Sequence, residues 1–331
     1  MLIATVDRLV DLPLPCLPQS LEEVSLDVFY YSFEPWKVWA DAKRMTIGIG
    51  CICERGDCVV LASDMRASYG TTPVGPNDAC GKVFRLGQFN TMVCIAGRIS
   101  SCHAVRSQLV HNVGKLSKLR IVSREHVIRA IDEARMRELR RVYDWTIQTN
   151  WGISLYDFAR GKVPGGKLDK LLLRAGFHLL KNTPLKVELI VAGFVRSQTM
   201  FFRASQKQPL EEESSPGVYA IGSGQIPAMT QLNRRSQHVA MSLPRTLLHV
   251  HEAMIAARSS DPKGIGHPQA YIVMRKHVPQ TLYLEANAPA LENWRKAYRG
   301  RRNTGSLDDS KVAGIDIYQQ LKTLKPIKGV Q

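Results

Sequence analysis

Short apolar runs bounded by turn residues dominate the chain from residue 46 onward. Four such runs occur close together, at residues 46–53, 58–63, 82–86 and 91–96. The tetrapeptide Glu54-Arg55-Gly56-Asp57 separates the first two runs and has the composition of a turn. Because short strands at this spacing pair with their neighbours, the pattern predicts an antiparallel meander.

Longer stretches with helical spacing follow, and strand-like runs then return. Helices are predicted at residues 101–119, 124–149, about 226–238 and 244–258. Further strands are predicted at residues 187–194, 199–203, 219–224, 270–275 and 281–284, with a turn at 195–198 and an acidic loop at 211–216. Since strands and helices come in segregated runs, the predicted fold class is layered α+β.

Three segments depart from this pattern and define the predicted domain organisation. Residues 1–45 are interpreted as a leader or a misassigned N-terminal extension, because four prolines and an acidic balance interrupt any regular period. Residues 46–290 form the main domain, with an irregular, aromatic-rich insertion at about 144–186 that we expect to be ordered. Residues 291–331 are predicted to be a basic helical C-terminal extension.

The composition narrows the range of partners. The formal net charge is +16, but the basic residues lie in several separated places with no reading motif, which argues against a nucleic-acid partner. A nucleic-acid-binding protein would instead show steeply salt-dependent retention of DNA or RNA. No apolar stretch approaches the roughly 20 residues of a membrane span, so we expect no membrane partner and a cytoplasmic protein.

The cysteines indicate buried thiols instead of a disulfide framework. The chain has seven cysteines, an odd number, and most of them fall inside apolar runs. Cys51 and Cys53 are two apart in a predicted strand, so both thiols lie on one face beside apolar neighbours. We therefore expect structural thiols and no metal site.

Candidate chemistry begins at Thr46. A threonine hydroxyl is a weak nucleophile, but an N-terminal threonine carries its own base, because the pKa of a free α-amine is about 7.7 to 8.0. A polypeptide begun at Met45 would expose Thr46 once the methionine was removed. A translated leader would block it.

Charged and turn residues downstream supply partners for this hydroxyl. Asp64 follows a buried strand and Lys82 begins the next one, and we expect the two to pair beside the hydroxyl. Gly97 lies in a strand-to-helix turn whose backbone N–H can face a developing oxyanion. Ser223 or Asp261, each at the end of an element, could hydrogen-bond the α-amine.

Five segments in order carry a family resemblance. They are Thr46-Ile-Gly-Ile-Gly, Leu61-Ala-Ser-Asp-Met-Arg-Ala, Gly81-Lys-Val-Phe-Arg-Leu, Ala96-Gly and Ala220-Ile-Gly-Ser-Gly. In order and approximate spacing the chain resembles proteasome β-type subunits and their bacterial ring-peptidase relatives, over roughly residues 46–284. The resemblance implies an N-terminal-nucleophile hydrolase with a four-layer αββα sandwich that cuts peptide bonds inside an oligomeric ring, without a cofactor.

The resemblance also implies a role for particular residues. Thr46 would be the nucleophile, Asp64 and Lys82 its charged partners, Gly97 the oxyanion donor, and Ser223 and Asp261 the groups that orient the amine. Ser68 would bind the substrate backbone, and the first specificity pocket would be lined by Ala67, Cys80, Ile95 and Ile99. Such an apolar pocket would favour apolar side chains before the cut.

The same resemblance leaves two functions open. The partners it implies are a peptide or unfolded-protein substrate and further copies of the chain, and it leaves open whether an ATP-dependent unfoldase docks. Residue 45 is Met, where self-processing members of the family have Gly. The alternative to a threonine peptidase is therefore a catalytically inactive ring or scaffold subunit that never exposes Thr46.

Overall fold

Antiparallel sheets and α-helices in segregated runs make up the described part of the chain, which is α+β as predicted. The structure is a computed structural model that describes residues 46–64, 67–69, 72–74, 82–87, 89–116, 119, 121–205, 210–213, 215–262, 265 and 269–285. The predicted leader at 1–45 and the predicted extension at 291–331 lie outside the described residues.

Five strands form the first sheet, and every pairing in it is antiparallel. In the order in which they lie side by side, they are β12 (Val218–Ile221), β1 (Gly48–Cys53), β2 (Cys58–Asp64), β13 (Gln269–Arg275) and β14 (Val278–Glu285). The predicted turn after β1 is a short 3₁₀ turn at Glu54–Gly56. It lets β2 fold directly back onto β1.

Five more strands form the second sheet, also wholly antiparallel. Side by side they are β11 (Leu210–Glu212), β10 (Gln198–Ala204), β9 (Val187–Val195), β6 (Asn90–Gly97) and β5 (Val83–Arg85). Two small hairpins complete the described strands, β3 (Ala67–Tyr69) with β4 (Thr72–Val74) and β7 (Lys162–Val163) with β8 (Gly166–Lys167).

Six α-helices occur in the described residues. They are α1 (Ile99–Leu116), α2 (Arg124–Trp151), α3 (Leu155–Ala159), α4 (Lys170–Lys181), α5 (Gln225–Arg234) and α6 (Leu243–Ser260). The start of α2 is set by Ser123, whose hydroxyl accepts a hydrogen bond from the backbone N–H of His126. No helix in this part of the chain combines the length and the apolar content of a bilayer span.

Three buried clusters hold the two sheets and their flanking helices together. The first packs one face of the first sheet on α5 and α6, through residues such as Ile49 and Leu247. The second packs one face of the second sheet on α1 and α2, through residues such as Val93 and Leu109. The third, the intersheet cluster, joins inward-facing side chains of both sheets, among them Phe201, which is fully buried. Burial of each such large side chain contributes roughly 1.5 to 3 kcal/mol.

Two sequence predictions about the strands are wrong. The first four runs do not form one meander, because β1 and β2 belong to the first sheet and β5 and β6 to the second. The predicted acidic loop begins as a strand, since Leu210–Glu212 pairs with β10 and Glu211 forms a 2.7 Å ion pair with Arg203. The assignment of β1–β2 and β5–β6 to different sheets depends on contacts that are distant in sequence. The strand β11 pairs locally with the preceding β10, but its three residues are mostly acidic and do not have the composition of a strand.

The segment at 144–186 is more regular than its sequence indicates. The helix α2 continues through Trp151, and α3, the β7–β8 hairpin and α4 follow. Phe158 is buried at its centre, stacked on Trp151 with the ring centroids 5.9 Å apart and edge-on to Phe177 at 5.2 Å. The aromatic side chains thus form a small core of their own.

Candidate active site

Thr46 lies two residues before β1 and is brought to Asp64 by the pairing of β1 with β2. Gly48 faces Ser63 in that register, so the next facing pair is Ile47 and Asp64. The backbone N–H of Ile47 donates to Asp64 Oδ1 at 2.9 Å, and the Thr46 hydroxyl donates to the same oxygen at 3.0 Å. A tight hairpin therefore places a hydroxyl and a carboxylate together at one end of the first sheet.

Lys82 reaches the same carboxylate from the second sheet. Lys82 lies directly before the edge strand β5, and its backbone carbonyl accepts from Ile95 N of β6 at 2.7 Å. Its ammonium donates to Asp64 Oδ2 at 2.8 Å. Asp64 is fully buried and the Lys82 side chain is 12% exposed, so each charge compensates the desolvation of the other. Thr46 and Lys82 thus bind the two oxygens of one carboxylate.

Ser223 contacts the backbone of Thr46 from the turn after β12. Its hydroxyl accepts from Thr46 N at 3.1 Å and donates to Thr46 O at 3.4 Å. The preceding Gly222 has φ 89°, and a Cβ there would lie 2.3 Å from the carbonyl oxygen of Thr46. Only glycine lets this turn approach so closely. In the full chain this Thr46 nitrogen is the peptide nitrogen that follows Met45.

Gly97 ends β6, and no hydrogen bond within the described residues joins it to Thr46. Its φ is 132°, and a Cβ would lie 2.2 Å from the carbonyl oxygen of Lys186 at the start of β9. The close approach of Lys186 by itself therefore requires glycine at this position. Its role as an oxyanion donor stays a prediction.

Asp261 terminates α6 near the turn that carries Ser223. Its backbone N–H donates to Ala257 O and its carbonyl accepts from Ile265 N at 3.1 Å. A Cβ on Gly224, the residue after Ser223, would meet Ile265 at 2.8 Å and Ala257 at 3.0 Å. The end of α6 thus packs against the Ser223 turn. The role of Asp261 in orienting the amine stays a prediction.

The predicted substrate-binding residues are distributed over several elements. Ala67 and Ser68 belong to β3, and Cys80 lies outside the described residues. Ile95 is 5% exposed and belongs to the cluster that packs on α1 and α2. Ile99 begins α1 and is half-buried. Their roles in a specificity pocket stay predictions.

Two residues near Thr46 were not found by sequence reasoning. Cys94 lies in β6, and its sulfur would be 2.5 Å from a Cβ on Gly48, so the thiol fills the space that this glycine leaves. Burial raises the pKa of the Cys94 thiol to about 12, against the lowering effect of the Lys82 charge. Glu188 lies in β9 and accepts from Gly222 N at 2.6 Å. Its signal in the sequence is a single carboxylate in an apolar strand.

The thiols of Cys51, Cys53 and Cys58 are all fully buried in the cluster between the first sheet and its helices, as predicted. Burial alone raises the pKa of Cys51 well above its usual range. Among the described residues there is no group of three or more His, Cys, Asp or Glu side chains that could hold a metal ion.

The Thr46 hydroxyl and the Lys82 ammonium meet on the Asp64 carboxylate just before β1, and the Ser223 hydroxyl accepts from the Thr46 nitrogen. This set can activate an oxygen nucleophile if the nitrogen is a free amine. No protein-family model matches the chain, and no curated protein matches it. The case for an activity therefore depends on the side chains around Thr46.

Proposed function

We propose that the chain is a proteasome-like threonine peptidase that hydrolyses peptide bonds with Thr46 as an N-terminal nucleophile. The observation that carries the proposal is the shared carboxylate, since Asp64 binds both the Thr46 hydroxyl and the Lys82 ammonium. The resemblance of the five ordered segments to proteasome β-type subunits supports the same assignment.

The fold we propose is the four-layer αββα sandwich of N-terminal-nucleophile hydrolases. Its support is the distribution of the three buried clusters, one between the sheets and one between each sheet and a pair of helices. In such an arrangement the Thr46 end of the first sheet and the Lys82 end of the second sheet open at the same edge.

The proposed reaction begins when the Thr46 hydroxyl attacks a peptide carbonyl. The hydroxyl proton passes to the free α-amine, and the Lys82 ammonium stabilises the charge that develops on the oxygen. A backbone N–H at Gly97 would bind the oxyanion of the tetrahedral intermediate. The α-ammonium then protonates the leaving amine, which leaves the acyl group esterified to Thr46.

Water completes the cycle. The same α-amine takes a proton from water as it attacks the ester, and then returns that proton to the Thr46 oxygen. Ser223 orients the amine, since its hydroxyl already accepts from the Thr46 nitrogen and donates to the Thr46 carbonyl. The substrates we propose are peptides or unfolded proteins, cut within a ring of identical subunits.

The test is peptide hydrolysis by protein purified from its own host. Thr46→Ala should lower the rate at least about 10³-fold because it removes the nucleophile, whereas Thr46→Ser should keep measurable activity. Thr199→Ala is the matched control, because Thr199 also donates its hydroxyl, to Gly56 O at 2.8 Å, but at the opposite end of β1. Full hydrolysis by Thr46→Ala would defeat the proposal.

One observation favours a second candidate, a catalytically inactive ring or scaffold subunit. In the full chain a Met precedes Thr46, and the nitrogen that Ser223 binds is then an amide with no basic lone pair. A native protein that keeps residues before Thr46 and hydrolyses no peptide would support this candidate.

A further inference from the structure

Glu188 is a charged residue in the otherwise apolar strand β9, Val187–Val195. Its neighbours Val187 and Leu189 both point to the cluster that packs on α1 and α2, and Ile190 points to the intersheet cluster. Because side chains alternate along a strand, Glu188 points to the intersheet side, toward the first sheet. The Glu188 side chain is half-buried at this position, near the end of the strand.

The carboxylate binds the turn that carries Ser223. Glu188 Oε2 accepts from Gly222 N at 2.6 Å, a short hydrogen bond of the charge-assisted kind. Gly222 adopts φ 89°, a left-handed conformation, and lies against the Thr46 carbonyl. The hydrogen bond therefore holds a turn whose backbone geometry is unusual and whose position is set by contact with Thr46.

The turn determines where the Ser223 hydroxyl lies. That hydroxyl accepts from Thr46 N at 3.1 Å, and its donor bond to Thr46 O is long, at 3.4 Å. A shift of a few tenths of an ångström in the turn would break the second bond and weaken the first. Hydrogen bonds thus link the second-sheet side to the Thr46 end of the first sheet through Lys82 to Asp64 and through Glu188 to Gly222.

We propose that Glu188 is a positioning residue, which fixes the Gly222–Ser223 turn against Thr46 so that Ser223 orients the Thr46 nitrogen. This inference rests on the proposed function of Thr46 as nucleophile. Glu188 acts through Ser223 and does not touch the reacting atoms. It follows that an uncharged acceptor of the same size should serve in its place.

The test compares Glu188→Ala and Glu188→Gln in protein purified from its own host. Glu54→Ala is the matched control, because Glu54 Oε1 also accepts a backbone N–H, from Leu243 at 3.3 Å, at the far end of β1. Two quantities are measured, the exchange rate of the Gly222 amide with deuterium and the kcat and KM for a panel of fluorogenic peptides.

Glu188→Ala should speed exchange of the Gly222 amide at least about tenfold and lower kcat by a similar factor, with KM within about twofold. Glu188→Gln should restore both to within about threefold, since its carbonyl oxygen still accepts the bond. Glu54→Ala should change neither. If Glu188→Ala does not fold, Glu188→Asp replaces it, because the shorter side chain withdraws the carboxylate from Gly222.

The outcomes separate this inference from the proposed function. If Thr46→Ala abolishes hydrolysis while Glu188→Ala behaves like Glu54→Ala in both measurements, the positioning role is overturned and the nucleophile stands. If Thr46→Ala still hydrolyses peptides, the proposed function fails, and the positioning role toward catalysis fails with it. Loss of activity in Glu188→Gln equal to that in Glu188→Ala would also overturn the inference, because it would show that the charge, not the acceptor, is needed.

Discussion

Replacing Asp64 by Asn tests the buried carboxylate on which the site is built. Asp64 is fully buried and accepts from Thr46 Oγ1, Ile47 N and the Lys82 ammonium at 3.0, 2.9 and 2.8 Å. Asparagine has the same shape but only one acceptor oxygen, and its NH₂ group would face one of three donors. The Lys82 ammonium would then be desolvated without a counter-charge.

The expected loss follows from this geometry. Removing one partner of a buried ion pair lowers the free energy of unfolding by about 3 to 5 kcal/mol. Because Asn keeps one acceptor oxygen, we expect Asp64→Asn to lower it by about 3 kcal/mol. For a domain of this size such a loss lowers Tm by roughly 6 to 12 °C. Adding Lys82→Met should recover part of the loss, because it removes the stranded ammonium.

Asp57→Asn is the matched control for thermal unfolding. Asp57 also pairs with a lysine, Lys276, at 3.7 Å, but its side chain is 64% exposed, so this pair contributes about 0 to 1 kcal/mol. The two variants differ in burial and not in chemistry. If Asp64→Asn and Asp57→Asn lower Tm equally, or if Lys82→Met adds its full cost to Asp64→Asn, the buried-pair reasoning is refuted.

Three further predictions concern the surroundings of the site. Gly222→Ala should lower the free energy of unfolding by at least about 2 kcal/mol and abolish hydrolysis, because residue 222 has φ 89° and its Cβ would lie 2.3 Å from Thr46 O. Unchanged Tm and activity would contradict this prediction. Because its pKa is about 12, the Cys94 thiol should resist alkylation in the native protein at pH 7 to 9, and the half-buried Cys102 should react before it. Mass spectrometric mapping of the alkylated cysteines over time shows which of the two reacts first. Phe158→Ala should lower Tm, because the cavity that it leaves in a small core lowers the free energy of unfolding by about 3 to 5 kcal/mol. It should leave kcat unchanged, because that core holds no site residue.

Local pattern was enough to find most strands and helices, but not to assign strands to sheets. The bounds of β1, β2 and β9 agree with the apolar runs within a residue or two, because turn residues flank each run. Which strand pairs with which depends on contacts between distant segments. For that reason β5 and β6 were misplaced. The edge strand β11 was missed for a different reason, because its three residues are mostly acidic.

The residues of the candidate site likewise divide into those that local sequence pattern could place and those whose positions depend on tertiary contacts. Asp64 could be placed near Thr46 from the sequence, because a hairpin joins their strands. The sequence also suggested Lys82 and Ser223 as partners, and the family resemblance supported both. The tertiary contacts that bring Lys82 to Asp64 and Ser223 to Thr46 are seen only in the structure. Glu188 was missed because its partner, Gly222, lies on another sheet, and only its charge in an apolar strand marked it.

The central claim is that Thr46 provides both the attacking oxygen and the free amine that activates it. Its most direct test is the N-terminal sequence and intact mass of the protein purified from its own host. The account predicts a mature chain whose first residue is Thr46, with a mass that matches the sequence from that residue onward. A native chain in which Met45 is still bonded to Thr46 would contradict it.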